Sequence, residues 1–170
     1  MATTEFIGCK PQRNEAGKYG YKNAKGKVVI PFEYDYILEL RWRGTRYFEV
    51  AKENKRGIVD INNNIVVPLE YSYFEIKRVP EGIFIITMKN GKYGVLDLSE
   101  KTILPFEYDY LKDIYCSITS SVSLMAAKDE KWSLIDLFGN PIIPETYNQF
   151  YMLLNALENE SYVFNAENFK

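Results

Sequence analysis

The chain has 170 residues, of which 46% are hydrophobic, 26% charged and 15% aromatic, a composition that suits a globular protein able to bury a core. Its 21 Lys and Arg against 23 Asp and Glu give a net charge of −2 and no long-range field to hold a phosphate backbone, so nucleic acid is not an expected partner. Histidine is absent, which excludes Ser-His and Cys-His nucleophiles and removes the commonest zinc ligand and the usual general base near neutral pH.

The first segment, MATTEFIGCKPQRNEAG, lacks a basic start followed by an apolar stretch, and no apolar run nears the roughly 20 residues of a membrane span. A cytoplasmic protein with no membrane contact is expected. Cys9 and Cys116 have no CxxC spacing and cannot make a zinc site between them, so no metal and no cofactor is expected; whether the two pair is left open.

From residue 17 onward the chain repeats itself. The segments VVIPFEYDY (28–36), IVVPLEYSY (65–73) and TILPFEYDY (102–110) share one template, and PIIPETYNQ (141–149) is a worn fourth copy. Their prolines, Pro31, Pro68, Pro105 and Pro144, are spaced 37, 37 and 39 residues apart. Eleven residues before each proline stand Gly20, Gly57, Gly94 and Ser133, and three residues after those come Asn23, Asp60, Asp97 and Asp136. An apolar run, a polar cluster and a second apolar run predict β-hairpins over 18–31, 55–68, 92–105 and 131–144. The Asn or Asp should bond its own backbone two residues on, and Gly26, Asn63 and Gly139 should take positive φ, a position that Glu100 suits less well. Each proline lacks a ladder donor and is expected to end its strand. Tyr34, Tyr71, Tyr108 and Tyr147, three residues beyond the prolines, are expected to stack from unit to unit, with Tyr71 and Tyr108 the more buried. A third strand follows in each unit, ending at Lys52, Lys89, Lys128 and Asn165, and FIGCK, ending at Lys10, matches it without a preceding hairpin. Residues 150–157 are rich in helix formers.

The predicted fold is therefore all-β: an open array of four hairpin-plus-third-strand repeats, curved or partly closed, in a single domain spanning 1–170. Its cap strand lies at 5–10, and its repeats run over about 17–53, 54–90, 91–129 and 130–165. The unit GKYGVLDLSEKTILPFEYDYL, with aromatic-Gly at Tyr19-Gly20 and Tyr93-Gly94 and its degenerate form at Trp132-Ser133, resembles the WG (KWG) repeat family of bacterial proteins. Departures are Tyr for the usual Trp, Arg56 before Gly57, Lys22-Asn23 for an apolar-Asp pair, and Ser133 for Gly. The resemblance implies a β-rich binding scaffold and brings no catalytic motif.

Repeated residues build a scaffold, so function is sought where a copy departs from the pattern. Arg41, Trp42, Arg43 and Arg46, on the connection before the third strand of unit one, have the composition of an interface hot spot. The hydroxyl-rich stretch 115–123 reads as a solvated loop. Acidic residues near the C-terminus, Glu158, Glu160 and Glu167, would suit a basic partner. Glu33, Glu70 and Glu107 share one offset and should form salt links to lysines such as Lys52 or Lys89 rather than a catalytic pair. No GxGxxG or GxxxxGK motif is present. The expected function is non-enzymatic protein binding, in its narrower form an immunity protein neutralising a basic toxin. The alternative is carbohydrate or small-ligand recognition on exposed tyrosines.

Overall fold

The computed structural model describes residues 11–114, 122–143 and 146–159, with side chains to 156. Its chain contacts divide it into two compact units, Met1–Phe74 and Glu75–Lys170. The all-β repeat array is observed, with one helix among the described residues.

In the first unit, β1 (Pro11–Arg13), β2 (Tyr19–Lys22) and β3 (Val28–Tyr34) form a three-stranded antiparallel sheet in that order. A second sheet runs β4 (Tyr36–Trp42), β5 (Thr45–Lys52), β6 (Lys55–Asp60) and β7 (Ile65–Tyr71). In the second unit, β8 (Tyr73–Val79), β9 (Gly82–Lys89), β10 (Lys92–Asp97) and β11 (Thr102–Tyr108) make a four-stranded sheet. The last sheet holds β12 (Tyr110–Ile114), β13 (Ser123–Lys128) and β14 (Lys131–Asp136). Third strands end at Lys52, Lys89 and Lys128 as expected. The strand expected to end at Lys10 lies outside the described residues, and the first described strand is β1, Pro11–Arg13. Residues 161–165 also lie outside.

Beyond the predicted strands, each repeat contributes β4, β8 or β12, which sets out directly after the template tyrosine. A single bent residue, Asp35 or Asp109, separates it from the strand before. The Asp35 and Asp109 amides donate to the carbonyls of Ala51 and Ala127, tying each bend to the second strand of the next sheet, β5 or β13. Lys18 pairs with Asp35 at 2.5 Å, and Lys92 pairs with Asp109. Thus the end of one sequence repeat supplies the first two strands of the following sheet.

Three of the four prolines do not end their strands, and Pro144 lies outside the described residues. Pro31, Pro68 and Pro105 lie inside β3, β7 and β11, which continue to Tyr34, Tyr71 and Tyr108. Each of these is an edge strand, and the proline opens a bulge where no ladder donor is missed. Tyr19 pairs with Tyr34 and Tyr21 with Ile30, leaving Pro31, Phe32 and Glu33 opposite Gly20 alone. The same three-against-one bulge sets Pro68–Glu70 opposite Gly57 and Pro105–Glu107 opposite Gly94. That bulge explains the repeated glycine. A Cβ on Gly57 would lie 2.5 Å from the Val67 carbonyl oxygen, and one on Gly20 would lie 2.8 Å from that of Ile30. The fourth unit has Ser133 at this place, and its hairpin is reduced to isolated bridges, Trp132 to Tyr147 and Ile135 to Pro141.

The hairpin turns follow the sequence reading. Side-chain oxygens of Asn23, Asp60, Asp97 and Asp136 each accept from backbone amides two and four residues on. Gly26, Asn63 and Gly139 take positive φ, and Glu100 does too, at 65°. Tight turns between third strand and following strand use two positive-φ residues, Glu53-Asn54, Asn90-Gly91 and Asp129-Glu130, the geometry that matches strand twist.

The core of the first unit gathers Tyr21, Ile30, Tyr34, Ile37, Phe48, Val50 and Val59. In the second unit Ile114, Met125, Leu134, Ile143 and Leu153 cluster, with α1 (Phe150–Asn159) laying Leu153 and Leu154 against β14 and its neighbours. This helix occupies the stretch flagged by its helix formers.

The tyrosine expectation needs correction. Tyr71 is buried as expected, at 2% exposure, but Tyr108 is only half-buried, and Tyr34 is buried at 5% because it packs onto β5 and β6 and donates its hydroxyl to Asn63 at 2.8 Å. Ring contacts instead run Tyr93, Tyr110, Trp132, Phe150, with centroids 6.4, 5.4 and 4.9 Å apart and planes tilted by 52–56°.

Candidate functional site

Arg41, Trp42, Arg43 and Arg46 are brought together at the tip of the β4–β5 hairpin. They lie on strand ends and a two-residue turn rather than on an irregular connection. Arg43 (φ 45°) and Gly44 (φ 80°) make the turn, closing Trp42 against Thr45 and Arg41 against Arg46. This geometry follows the strand twist and holds the tip without a mobile loop. Arg41 and Arg43 are exposed; Trp42 and Arg46 are half-buried. The Arg43 guanidinium sits over the Trp42 ring at 5.3 Å.

One carboxylate organises the cluster. Glu39 accepts from Arg41 Nε at 2.6 Å, meets Arg46 at 3.5 Å, and takes the Tyr21 hydroxyl at 3.1 Å. Its hydrogen bond and charge raise the Arg41 pKa above the usual guanidinium value. Tyr21 is buried at 1% exposure, so the core of the first unit anchors Glu39, which in turn orients two arginines. Neither Glu39 nor Tyr21 was picked out as a site residue. The signal was there: Glu39 stands two residues before Arg41, on the same face of a strand, once a strand is recognised.

The other candidates stand apart. Glu158 lies in the last turn of α1, with its side chain outside the described residues, and Glu160 and Glu167 fall wholly outside them. Most of the 115–123 stretch is also outside, and Ser123 is fully buried in β13. Glu33 and Glu107 make the expected salt links, to Lys52 at 2.8 Å and Lys128 at 2.6 Å.

Two departures from the repeat were not foreseen. Lys77, where other units bury Leu40 and Ile114, bridges Glu75 at 2.7 Å and Asp113 at 2.5 Å. Phe138, 55% exposed in a turn that elsewhere carries Lys25, Asn62 or Ser99, lines with Val79, Glu81 and Leu137 a pocket of about 60 Å³. That volume holds roughly two waters and falls far short of the several hundred Å³ of a small-molecule site.

Among the described residues no helix is long and apolar enough to cross a membrane. Searches among curated proteins and among solved structures return no match. A family model described as "WG containing repeat" matches residues 19–44, 57–93 and 93–119, just over half of the chain. These stretches begin at Tyr19-Gly20, at Gly57 and at Tyr93-Gly94, and each carries the Asx turn, the proline bulge and the template tyrosine that build the sheets. The chain belongs to the WG-repeat family.

Proposed function

We propose that this protein is a non-enzymatic scaffold that binds another protein, with the β4–β5 tip as its contact element. The observation that carries the reading is Trp42 held half-buried between exposed Arg41 and Arg43 on a twist-matched two-residue turn, at a point where the 37-residue period breaks. Tryptophan and arginine dominate interface hot spots, and a preformed hairpin lowers the ordering cost of association. The tilted rings from Tyr93 to Phe150 present no flat face for a sugar, and the burial of Tyr34 and Tyr71 favours the protein reading over the carbohydrate one. An immunity protein that neutralises a toxin by occupying it is the narrower form of this proposal. Its support is a sequence with neither histidine nor a nucleotide-binding motif, which favours binding over catalysis.

Affinity capture with the wild-type chain and with Trp42→Ala side by side tests the proposal. A protein recovered by the wild type should bind the variant more weakly by about 2 kcal/mol or more, with the thermal midpoint nearly unchanged. Equal affinity for both chains places the interface elsewhere.

A further inference from the structure

Taking the tip as a protein contact, as proposed above, we infer that the face it meets is acidic: carboxylates flanking an apolar recess that receives Trp42. The segment Leu38–Tyr47 carries three arginines and a single acid, Glu39, so the tip is locally cationic in a chain whose net charge is −2. Arg41 and Arg46 stand directly opposite each other on β4 and β5, an arrangement in which like charges repel. One carboxylate is shared between them. A guanidinium has five N–H donors in a planar fork suited to two-point contact with carboxylates, and Arg41 and Arg43 are exposed at the tip.

The fold does not require all of these cations. In the equivalent β8–β9 hairpin, 37 residues on, Arg41 has its counterpart in Arg78, but Trp42, Arg43, Gly44 and Arg46 are replaced by Val79, Pro80, Glu81 and Ile83. The same architecture closes there with one arginine, so Trp42, Arg43 and Arg46 answer to something other than hairpin formation. Their charge would also orient an acidic partner during approach, the role that complementary rim charges play.

The test uses the full chain and fluorescein-labelled random copolymers, Glu/Tyr against Lys/Tyr, with a 20-base-pair DNA duplex and phosphatidylserine vesicles as further probes. The Glu/Tyr copolymer should bind best, should weaken on adding salt, and should lose about tenfold or more in affinity with Arg41→Glu or Arg43→Glu. Arg78→Glu, which removes a cation from β8, should leave binding unchanged, and all variants should keep the wild-type thermal midpoint. Preference for Lys/Tyr, for duplex DNA or for vesicles, or equal loss with Arg78→Glu, overturns the acidic-face inference. The two readings fail separately. If a captured partner is lost with Trp42→Ala but not with the charge reversals, the protein contact stands and its acidic character does not. If none of these substitutions alters capture, both readings fall.

Discussion

Gly57 shows how strongly one missing side chain can set a strand. Its Cβ position is filled by the Val67 and Pro68 carbonyls, at 2.5 and 2.7 Å, so alanine must push backbone rather than a yielding side chain. Gly57→Ala should destabilise the protein by about 1–3 kcal/mol in denaturant titration, as overpacking does, whereas Gly44→Ala, with open space around it, should cost only the strain of its positive φ. The recurrence of the glycine was legible in the sequence, but its cause was not, because the bulge opposite it is a pairing feature between strands. A second residue-scale case is the pair of Glu49, 5% exposed, with Arg56 at 2.5 Å. Burial raises the Glu49 pKa and Arg56 pulls it back. The other units solve the same position with apolar residues, Ile86 beside Tyr93 and Met125 beside Trp132. Arg56→Ala alone should therefore cost about 1–3 kcal/mol, the penalty of leaving the buried Glu49 carboxyl unpaired, while the double change Glu49→Ile with Arg56→Tyr should be neutral or stabilising, as apolar replacement of a desolvated ion pair often is. A double variant less stable than Arg56→Ala would show that the ion pair is essential to packing there. Tyrosine truncation gives a third test, with Tyr34→Ala and Tyr71→Ala each costing about 3–5 kcal/mol and half-buried Tyr108 and Tyr147 costing less.

At the scale of elements, the half-buried group of Glu75 and Lys77 on β8 with Asp113 on β12 makes stability depend on pH. Burial raises the Asp113 pKa, and a hydrogen bond and charge from Glu75 add to this while Lys77 opposes it. For Lys77, burial acts downward, yet its bonds to Asp113 and Glu75 win and its pKa is raised. A carboxyl raised in the folded state takes up a proton there before it does in the unfolded chain, so its contribution to stability grows as pH falls from neutral, and is complete below the unfolded value near 4. Asp113→Asn mimics the protonated form. Its advantage in thermal midpoint over wild type should be greatest near neutral pH and shrink in acid, and a constant or growing advantage would contradict the assignment. Asp35 has the opposite sign, since its bond from Lys18, with help from the Glu53 amide, lowers its pKa. The stability it confers is present at neutral pH and is lost as pH falls through its folded-state value. Among the elements themselves, the Asx hairpins were readable because each is closed by residues two and four apart. Strands β4, β8 and β12 were not, because YDY and YSY look like the tail of a turn while a single residue there changes the sheet. The tip cluster was found by its departure from the period, but its shape was hidden, since Arg-Gly is not the Asn-Gly pair that announces such a turn.

Across the whole molecule, sequence repeat and sheet are out of step. The repeat read from the proline template ends where a third strand ends, whereas each four-stranded sheet begins just after a template tyrosine and closes at the next one. The bends at Asp35 and Asp109 are the seams, each bonded into the sheet that follows. The chain is thus sewn with overlapping stitches, and no cut at the edge of a written repeat frees a finished sheet. Lengthening or shortening such a chain without a ragged edge requires the gain or loss of a full period, from any position to its counterpart 37 residues on, so that every seam finds the same neighbour as before. Arrays built this way can change their number of repeats in whole units while the stitch itself stays unchanged.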